Sequence, residues 1–354
     1  MQDVLKLILI AIILSVVFLI LIILFAAALR RVFHSWKYKK LDEQREFYRE
    51  KLKSLLHYLR FQKITDLLSS PKSIKFRAVE DVLLDSINVE RYKENAKELF
   101  NRLGYIAFYE KQLKSRNIIT RASAIDKLGK MLSKSSTDKL IDMLKTKDAE
   151  TISVAVRSLS KIGSLKGLKG ILEHLPDLFK KSLVARKTIE TSLINFGIDA
   201  VPILIEYGKK HDDPKITASI LEVLSALQAK EGLYFAIDDL THRDAEIRAK
   251  ALNAIGTIGS VDFDGGRVVP LLDDSVWFVR LQAAKALGNL RYKKAATMLG
   301  GLLLDENWQV RNAAAMALTK FGDVSIDIFR RVLRYKDLYA KETVCEEIEK
   351  TNFV

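Results

Sequence analysis

Small and aliphatic residues recur on one fixed frame through the last two-thirds of the chain. The frame is clearest at Asp274–Leu290 and Asp305–Gly322. Each stretch opens with an acidic residue, places Arg six positions later, then Ala at Arg+3 and Leu at Arg+7. The same frame falls on anchor positions Arg121, Ile152, Arg186, Thr217, Arg248, Arg280 and Arg311, spaced 31 to 34 residues apart. The +3 column reads Ala124, Ala155, Ile189, Ile220, Ala251, Ala283 and Ala314. The +7 column reads Leu128, Leu159, Leu193, Leu224, Ile255, Leu287 and Leu318. Positions +3 and +7 lie one turn apart on a single helical face, so each unit predicts an amphipathic helix. Glycines at +8 (Gly129, Gly256, Gly288) or +11 (Gly163, Gly197, Gly259, Gly322) read as helix stops. Apolar stretches such as Thr137–Leu144 and Ala295–Leu304 supply a second helix between anchors. A helix pair of this size buries its apolar face only against its neighbours, which predicts a solenoid.

These residues resemble the HEAT-repeat family, in the short form of about thirty residues found in HEAT-like lyase repeats. The resemblance rests on the acidic residue before Val-Arg and on the Ala-Leu-Gly run, with Asp244 to Gly256 as a further instance. It covers roughly residues 115–354. It implies an all-α chain: a right-handed α-solenoid of HEAT-like helical hairpins, here preceded by one N-terminal transmembrane helix. The anchor arginines are expected to pair with Asp244, Asp274 or Asp305 of the same or a neighbouring unit. Ile152 and Thr217 interrupt that ladder.

Hydropathy changes the picture at the other end. Leu7–Leu29 is 23 residues without a charge. As a helix it is roughly 35 Å long, enough to cross a bilayer core. A cleaved signal peptide is the alternative, with Ala26-Ala27-Ala28 imitating a cleavage site. The run exceeds the usual length of such a segment, and the positive charge follows it rather than precedes it. Arg30, Arg31, Lys37, Lys39 and Lys40 come directly after the run, among Phe33, Trp36 and Tyr38. Positive flanks stay cytoplasmic, so the sequence predicts a single-pass inner-membrane protein with its N-terminus out and its repeats in the cytoplasm.

Between Arg30 and Lys63, eleven Lys/Arg against four Asp/Glu leave +7, half of the chain's net +14. Such a segment attracts anionic lipid head groups. Its apolar positions (Leu41, Tyr48, Leu52, Leu55, Leu56, Leu59, Ile64) are spaced as one helical face. That face either lies on the membrane or a partner, or packs as a stalk and cap on the repeats. The expected organisation is therefore 1–29 anchor, 30–70 basic amphipathic helix, 71–114 degenerate repeat or cap, and 115–354 solenoid with a C-terminal cap. In the degenerate unit Arg77 is taken as the anchor, with Leu84 at +7, and Tyr92, Phe100, Tyr105, Phe108 and Tyr109 suggest a bulkier core. In the last helix, Val344 and Ile348 are expected inward, Glu342, Glu346, Glu347 and Glu349 outward, and the lone Cys345 buried.

No catalytic constellation emerges. The five histidines are scattered, Asp262–Gly266 departs from a calcium loop at the positions that matter, and no Gly-rich phosphate loop is present. Neither an enzyme nor a cofactor is expected. Trp277 and Trp308 are the candidate binding residues: both stand three positions before an anchor Arg, in consecutive repeats. They either cover the inter-repeat core or offer aromatic hot spots to a partner. An anchor followed by such repeats, with Trp before Val-Arg, also resembles bacterial membrane HEAT proteins associated with membrane glycosyltransferases of exopolysaccharide synthesis. That resemblance implies a protein partner of this class. A nucleic-acid binder and a HEAT-like lyase are the alternatives. The +5 column, Asp126, Arg157, Thr191, Glu222, Asn253, Lys285 and Met316, is mixed in charge, which speaks against nucleic acid.

Overall fold

The computed structural model describes residues 2–58, 64–71 and 73–351. Among them the regular structure is helical throughout, in two compact units, Met1–Lys114 and Ser115–Val354.

In the first unit, α1 runs from Gln2 to Tyr58 as one helix of 57 residues. The uncharged and the basic stretches therefore share one backbone ladder. Residues 14–36 are exposed along their whole length, and an 18-residue window of the helix reaches a mean hydropathy of 2.6 with none of it buried. The burial pattern changes at Tyr48. There Tyr48, Leu52 and Leu56, spaced by four, are buried against α2 (Ile74–Ile87) and α3 (Glu90–Arg102). Arg45 is hydrogen-bonded to Asp81 of α2, and the Asn95 side chain of α3 donates to the Leu56 carbonyl at 2.6 Å. This apolar face is thus occupied, from Tyr48 to Leu56, by the unit's own helices α2 and α3. Leu59 and Lys63 lie outside the described residues.

The degenerate unit is shifted by one residue from the sequence-based frame. Leu84 is only half-buried, whereas Phe76, Val79 and Leu83 are buried. The anchor is therefore Phe76, with Val79 at +3 and Leu83 at +7, and an apolar anchor turns inward. Position 80 in this frame is a buried glutamate, which accepts the Tyr109 hydroxyl of α4 (Tyr105–Gln112) at 2.6 Å. Tyr105 donates to the Phe76 carbonyl at 2.8 Å, lies tilted against the Phe76 ring and meets Phe100 edge to face. The bulky core is built around these rings.

The second unit is a stack of helix pairs: α5 (Ile118–Lys130) with α6 (Thr137–Met143), α7 (Ala149–Ile162) with α8 (Leu165–Lys180), α9 (Arg186–Ile194) with α10 (Val201–Lys210), α11 (Pro214–Ala226) with α12 (Gly232–Asp238), then α13 (Ala245–Ile258), α14 (Trp277–Asn289) with α15 (Ala296–Leu302), α16 (Trp308–Thr319) with α17 (Asp323–Val332), and a closing α18 (Leu338–Thr351). Each anchor-bearing helix packs on the next, from α5 through α18. All fourteen residues of the +3 and +7 columns are fully buried. After α13 the second helix is reduced to 3-10 turns at Gly265–Arg267 and Val269–Asp273. Gly265 lies so close to Tyr292 that a side chain would clash, and Pro270 has no N–H to donate within a longer helix. The Asp264 carboxylate accepts the Gly266 N–H, so the calcium-loop lookalike is a capped turn.

The glycine columns do two different things. Gly129, Gly256 and Gly288 at +8 are not stops; they lie inside their helices. A Cβ on Gly288 would stand 2.7 Å from the Ala317 Cβ, one on Gly256 2.8 Å from the Ala286 Cα, and one on Gly129 2.6 Å from the Ser158 Cβ. Each +8 glycine thus receives the small +6 residue of the next repeat. The +11 position is the stop: Gly163, Gly197 and Gly322 have φ of 67°, 72° and 66°. Leu132, Gln228 and Arg291 adopt the same left-handed backbone without being glycine.

In the last helix Val344 is buried and Glu342, Glu346 and Glu349 are exposed, as expected, and Ile348 is half-buried; against expectation Glu347 is buried, beside Ala340 and Thr343, and Cys345 is exposed. Burial pushes the Glu347 carboxyl above its ordinary value.

A helix-start edge and its arginine ladder

The edge of the second unit is built by the residues that begin each anchor helix. Acidic and amide side chains cap these starts. Asp148 accepts from the Thr151 N–H, Asp244 from Glu246, Asp274 from Val276 and Asp305 from Asn307. Arg248 donates Nε and Nη2 to the two oxygens of Asp274 at 2.8 and 2.9 Å, and Arg280 does the same to Asp305 at 2.7 and 3.0 Å. Arg121 reaches Asp148 at 3.3 Å. The ladder therefore uses the acid of the following unit. Asp244 serves as a cap.

A second contact fixes each fork. The Nη1 of Arg121, Arg248, Arg280 and Arg311 donates to the carbonyl six residues upstream, at 2.8–2.9 Å. Burial pushes the carboxyls of Asp274 and Asp305 upward. The guanidinium and backbone N–H bonds outweigh it and hold both below the usual carboxylate range. Arg186 leaves Asp213, which stands as far from it as Asp148 from Arg121, to cap α11, and turns instead to Glu190, Ser219 and Glu246.

Trp277 and Trp308 are the first residues of α14 and α16, two helices packed on each other. Trp277 is 39% exposed and meets Phe278 edge to face; Trp308 is 60% exposed. The next helix repeats the arrangement with Leu338 and Tyr339, at 74% and 68%. These two were missed in the sequence, although Leu338 stands three residues before Lys341 in the frame carried on from Arg311. Their signal was the spacing, masked by the absence of Trp and Arg.

The basic candidates sit in the other unit. Arg30, Arg31, Lys39 and Lys40 are exposed along α1, and Lys37 is half-buried. Lys40 Nζ lies 5.1 Å from the Trp36 ring. The amphipathic aromatic among cations is the chemistry of a membrane–water boundary. No cluster of three or more metal-ligating side chains occurs among the described residues. Asp239 is half-buried, and its buried Oδ2 has no donor among the described residues: burial pushes the carboxyl up to about 6, His242 opposes this and Asp238 adds to it.

A HEAT-repeat family model matches residues 106–191 and 266–349. No curated protein matches the chain in sequence. An engineered protein of solved structure is 17% identical, covering 81% of this chain and 88% of that one, with a TM-score of 0.38. The CpcE–CpcF complex of phycocyanin lyase from Nostoc sp. is 21% identical over 64% of this chain and 92% of that one, at 0.32. A karyopherin bound to the SUMO protease Ulp1p is 14% identical over 77% and 41%, at 0.43.

Proposed function

We propose that the chain is a non-catalytic scaffold, anchored in the inner membrane by α1 with its repeats in the cytoplasm, that holds a protein partner at the bilayer. The observation that carries this reading is α1 itself. Its exposed apolar stretch passes into an exposed basic one and then into a face buried by its own unit, so a bilayer segment and a folded segment share one helix. Stacked repeats present an extended surface of the kind used for binding proteins. Within it, Trp277 and Trp308 supply an exposed aromatic edge. The candidate partner class is a membrane glycosyltransferase of exopolysaccharide synthesis, and Arg30, Arg31, Lys37, Lys39 and Lys40 meet anionic lipid head groups. The exposed positive charge is concentrated on α1 rather than laid in a stripe along the +5 column, which favours lipid over nucleic acid.

The test is affinity capture from detergent-solubilised membranes with the parent chain and with the Trp277→Ala/Trp308→Ala pair. Retention of the chain in membranes after alkaline carbonate and loss of a membrane-enzyme partner in the double variant are expected. Release by carbonate, or undiminished capture by a folded double variant, refutes the reading.

A further inference from the structure

The arginine ladder ends on a guanidinium that is positioned like the others but not filled like them. Arg311 Nη1 donates to the Asp305 and Glu306 carbonyls at 2.8 and 3.3 Å, as Arg280 Nη1 does to Asp274 and Ser275. The fork is therefore held in the same place. In Arg280 the remaining N–H groups take both oxygens of Asp305. In Arg311, Nε is buried and finds no acceptor among the described residues. Asp337 stands 26 residues further on, as Asp274 does from Arg248. It is exposed instead, and its carboxylate accepts the Ala340 N–H at 2.9 Å. The Tyr339 ring lies 5.5 Å from the Arg311 guanidinium carbon. A buried guanidinium N–H without an acceptor is costly, and a carboxylate is its natural complement.

The surroundings define what could bring that carboxylate. Trp308 stands one turn before Arg311, and Leu338 and Tyr339 open the neighbouring helix, all three strongly exposed. Arg331 in the last turn of α17, and Arg334 and Lys336 on the connection into α18, add exposed positive charge beside the acids Glu306 and Asp337. Apolar surface beside a guanidinium fork complements an acidic segment with apolar neighbours. A free small carboxylate would leave the rings uncovered.

We infer that Arg311, with Trp308, Leu338 and Tyr339, is a docking site for a partner segment in which an Asp or Glu is flanked by apolar side chains, its carboxylate pairing with the Arg311 guanidinium. This names the chemistry of the partner and rests on the reading of the chain as a protein-binding scaffold.

The probe is a fluorescein-labelled peptide of alternating Leu and Glu, with the Leu/Gln peptide as its neutral twin, titrated by anisotropy into the purified full chain in detergent. The Glu peptide is expected to bind at least tenfold more tightly than its twin. Arg311→Gln should abolish that preference, and the Arg331→Ser/Arg334→Ser pair, on the exposed surface, should weaken the Glu peptide severalfold and flatten its salt dependence. Equal binding of the two peptides, a preference that survives in Arg311→Gln, or equal displacement by single-stranded DNA overturns the inference. Should Arg311→Gln melt early, the twin-peptide comparison and the surface pair decide. Partner capture lost in the Trp pair but kept in folded Arg311→Gln would overturn this site while leaving the scaffold reading intact. Selective Glu-peptide binding with partner capture unchanged in both variants would do the reverse.

Discussion

The repeats from α13 to α16 and those from α9 to α11 bury the same two columns by different means. In the later group, Arg248 and Arg280 are bidentate on Asp274 and Asp305, and Gly256 and Gly288 receive Ala286 and Ala317. In the middle group Thr217 replaces an anchor Arg, Arg186 bonds elsewhere, and Ile194 and Val223 stand in the +8 and +6 columns. Yet Ile189, Leu193, Ile220 and Leu224 are as fully buried as their counterparts. The apolar columns are what every repeat needs. The ladder and the glycine contact are local additions: the one ties neighbouring helix starts together, the other lets two helices approach closely. The family model skips residues 192–265, a stretch that holds α11 with Thr217 but also α13 with Arg248 and Gly256.

The comparison breaks first at the shared columns. Ala314→Asp places a carboxylate where no water reaches, and should cost about 4 kcal/mol. Met316→Asp, two residues away on the exposed side, should stay within about 0.5 kcal/mol. Melting of the purified chain in detergent separates them; equal melting temperatures would refute the frame.

Next comes the ladder. Asp305→Asn leaves Arg280 buried without its counter-charge and should cost about 3 kcal/mol. Glu246→Gln, at the exposed partner of Arg186, should cost no more than about 1 kcal/mol. The pH dependence follows in sign. Asp274 and Asp305 are held below the usual carboxylate range, so their contribution is complete above pH about 4 and is lost as pH falls through the lowered values. Asp305→Asn should therefore remove part of the acid sensitivity of unfolding.

Gly288→Ala tests the close approach. Its methyl would meet Ala317 at both Cα and Cβ, backbone as well as side chain, and should cost about 2 kcal/mol in melting experiments. A neutral outcome would mean that α14 and α16 slide apart freely.

The middle group carries its own liability in Asp239, pushed up to about 6 chiefly by burial. Its folded value lies above the unfolded one, so stability is highest below pH about 4 and declines as pH rises toward 6. Asp239→Asn should raise stability at neutral pH by about 1 kcal/mol, after allowance for solvent screening of a part-exposed group, and remove that decline. The smallest effect is at the stops: Gln228→Gly should relieve a left-handed residue at φ 50° and gain about 0.5 kcal/mol.

Periodicity made the +3 and +7 columns readable, because burial on one helical face repeats at the spacing of the helix itself. It could not tell the two kinds of glycine apart. A glycine late in an apolar run looks like a stop whether the backbone turns there, as at Gly163, or another helix arrives there, as at Gly288. One-residue errors came from partial information: Arg77 looked like an anchor, but Phe76 faces inward, and a Glu-rich last helix hid that Glu347 and not Cys345 lies on the packed face. At the candidate edge, the positions of Trp277 and Trp308 at helix starts were legible and their exposure was not. The open end of the ladder at Arg311 was invisible, since Asp337 keeps the expected spacing while its carboxylate points its bonding elsewhere.

The unbroken course of α1 has a mechanical consequence. A helix without a joint behaves as a shaft: its backbone bonds lock the azimuth of Leu14–Leu29 to that of Tyr48, Leu52 and Leu56. Whatever stripe of the apolar stretch another span grips, α2 and α3 are then presented at one fixed angle to it. Each residue inserted near position 40 would turn that angle by about 100° and lengthen the shaft by about 1.5 Å, and seven would bring it nearly back into phase.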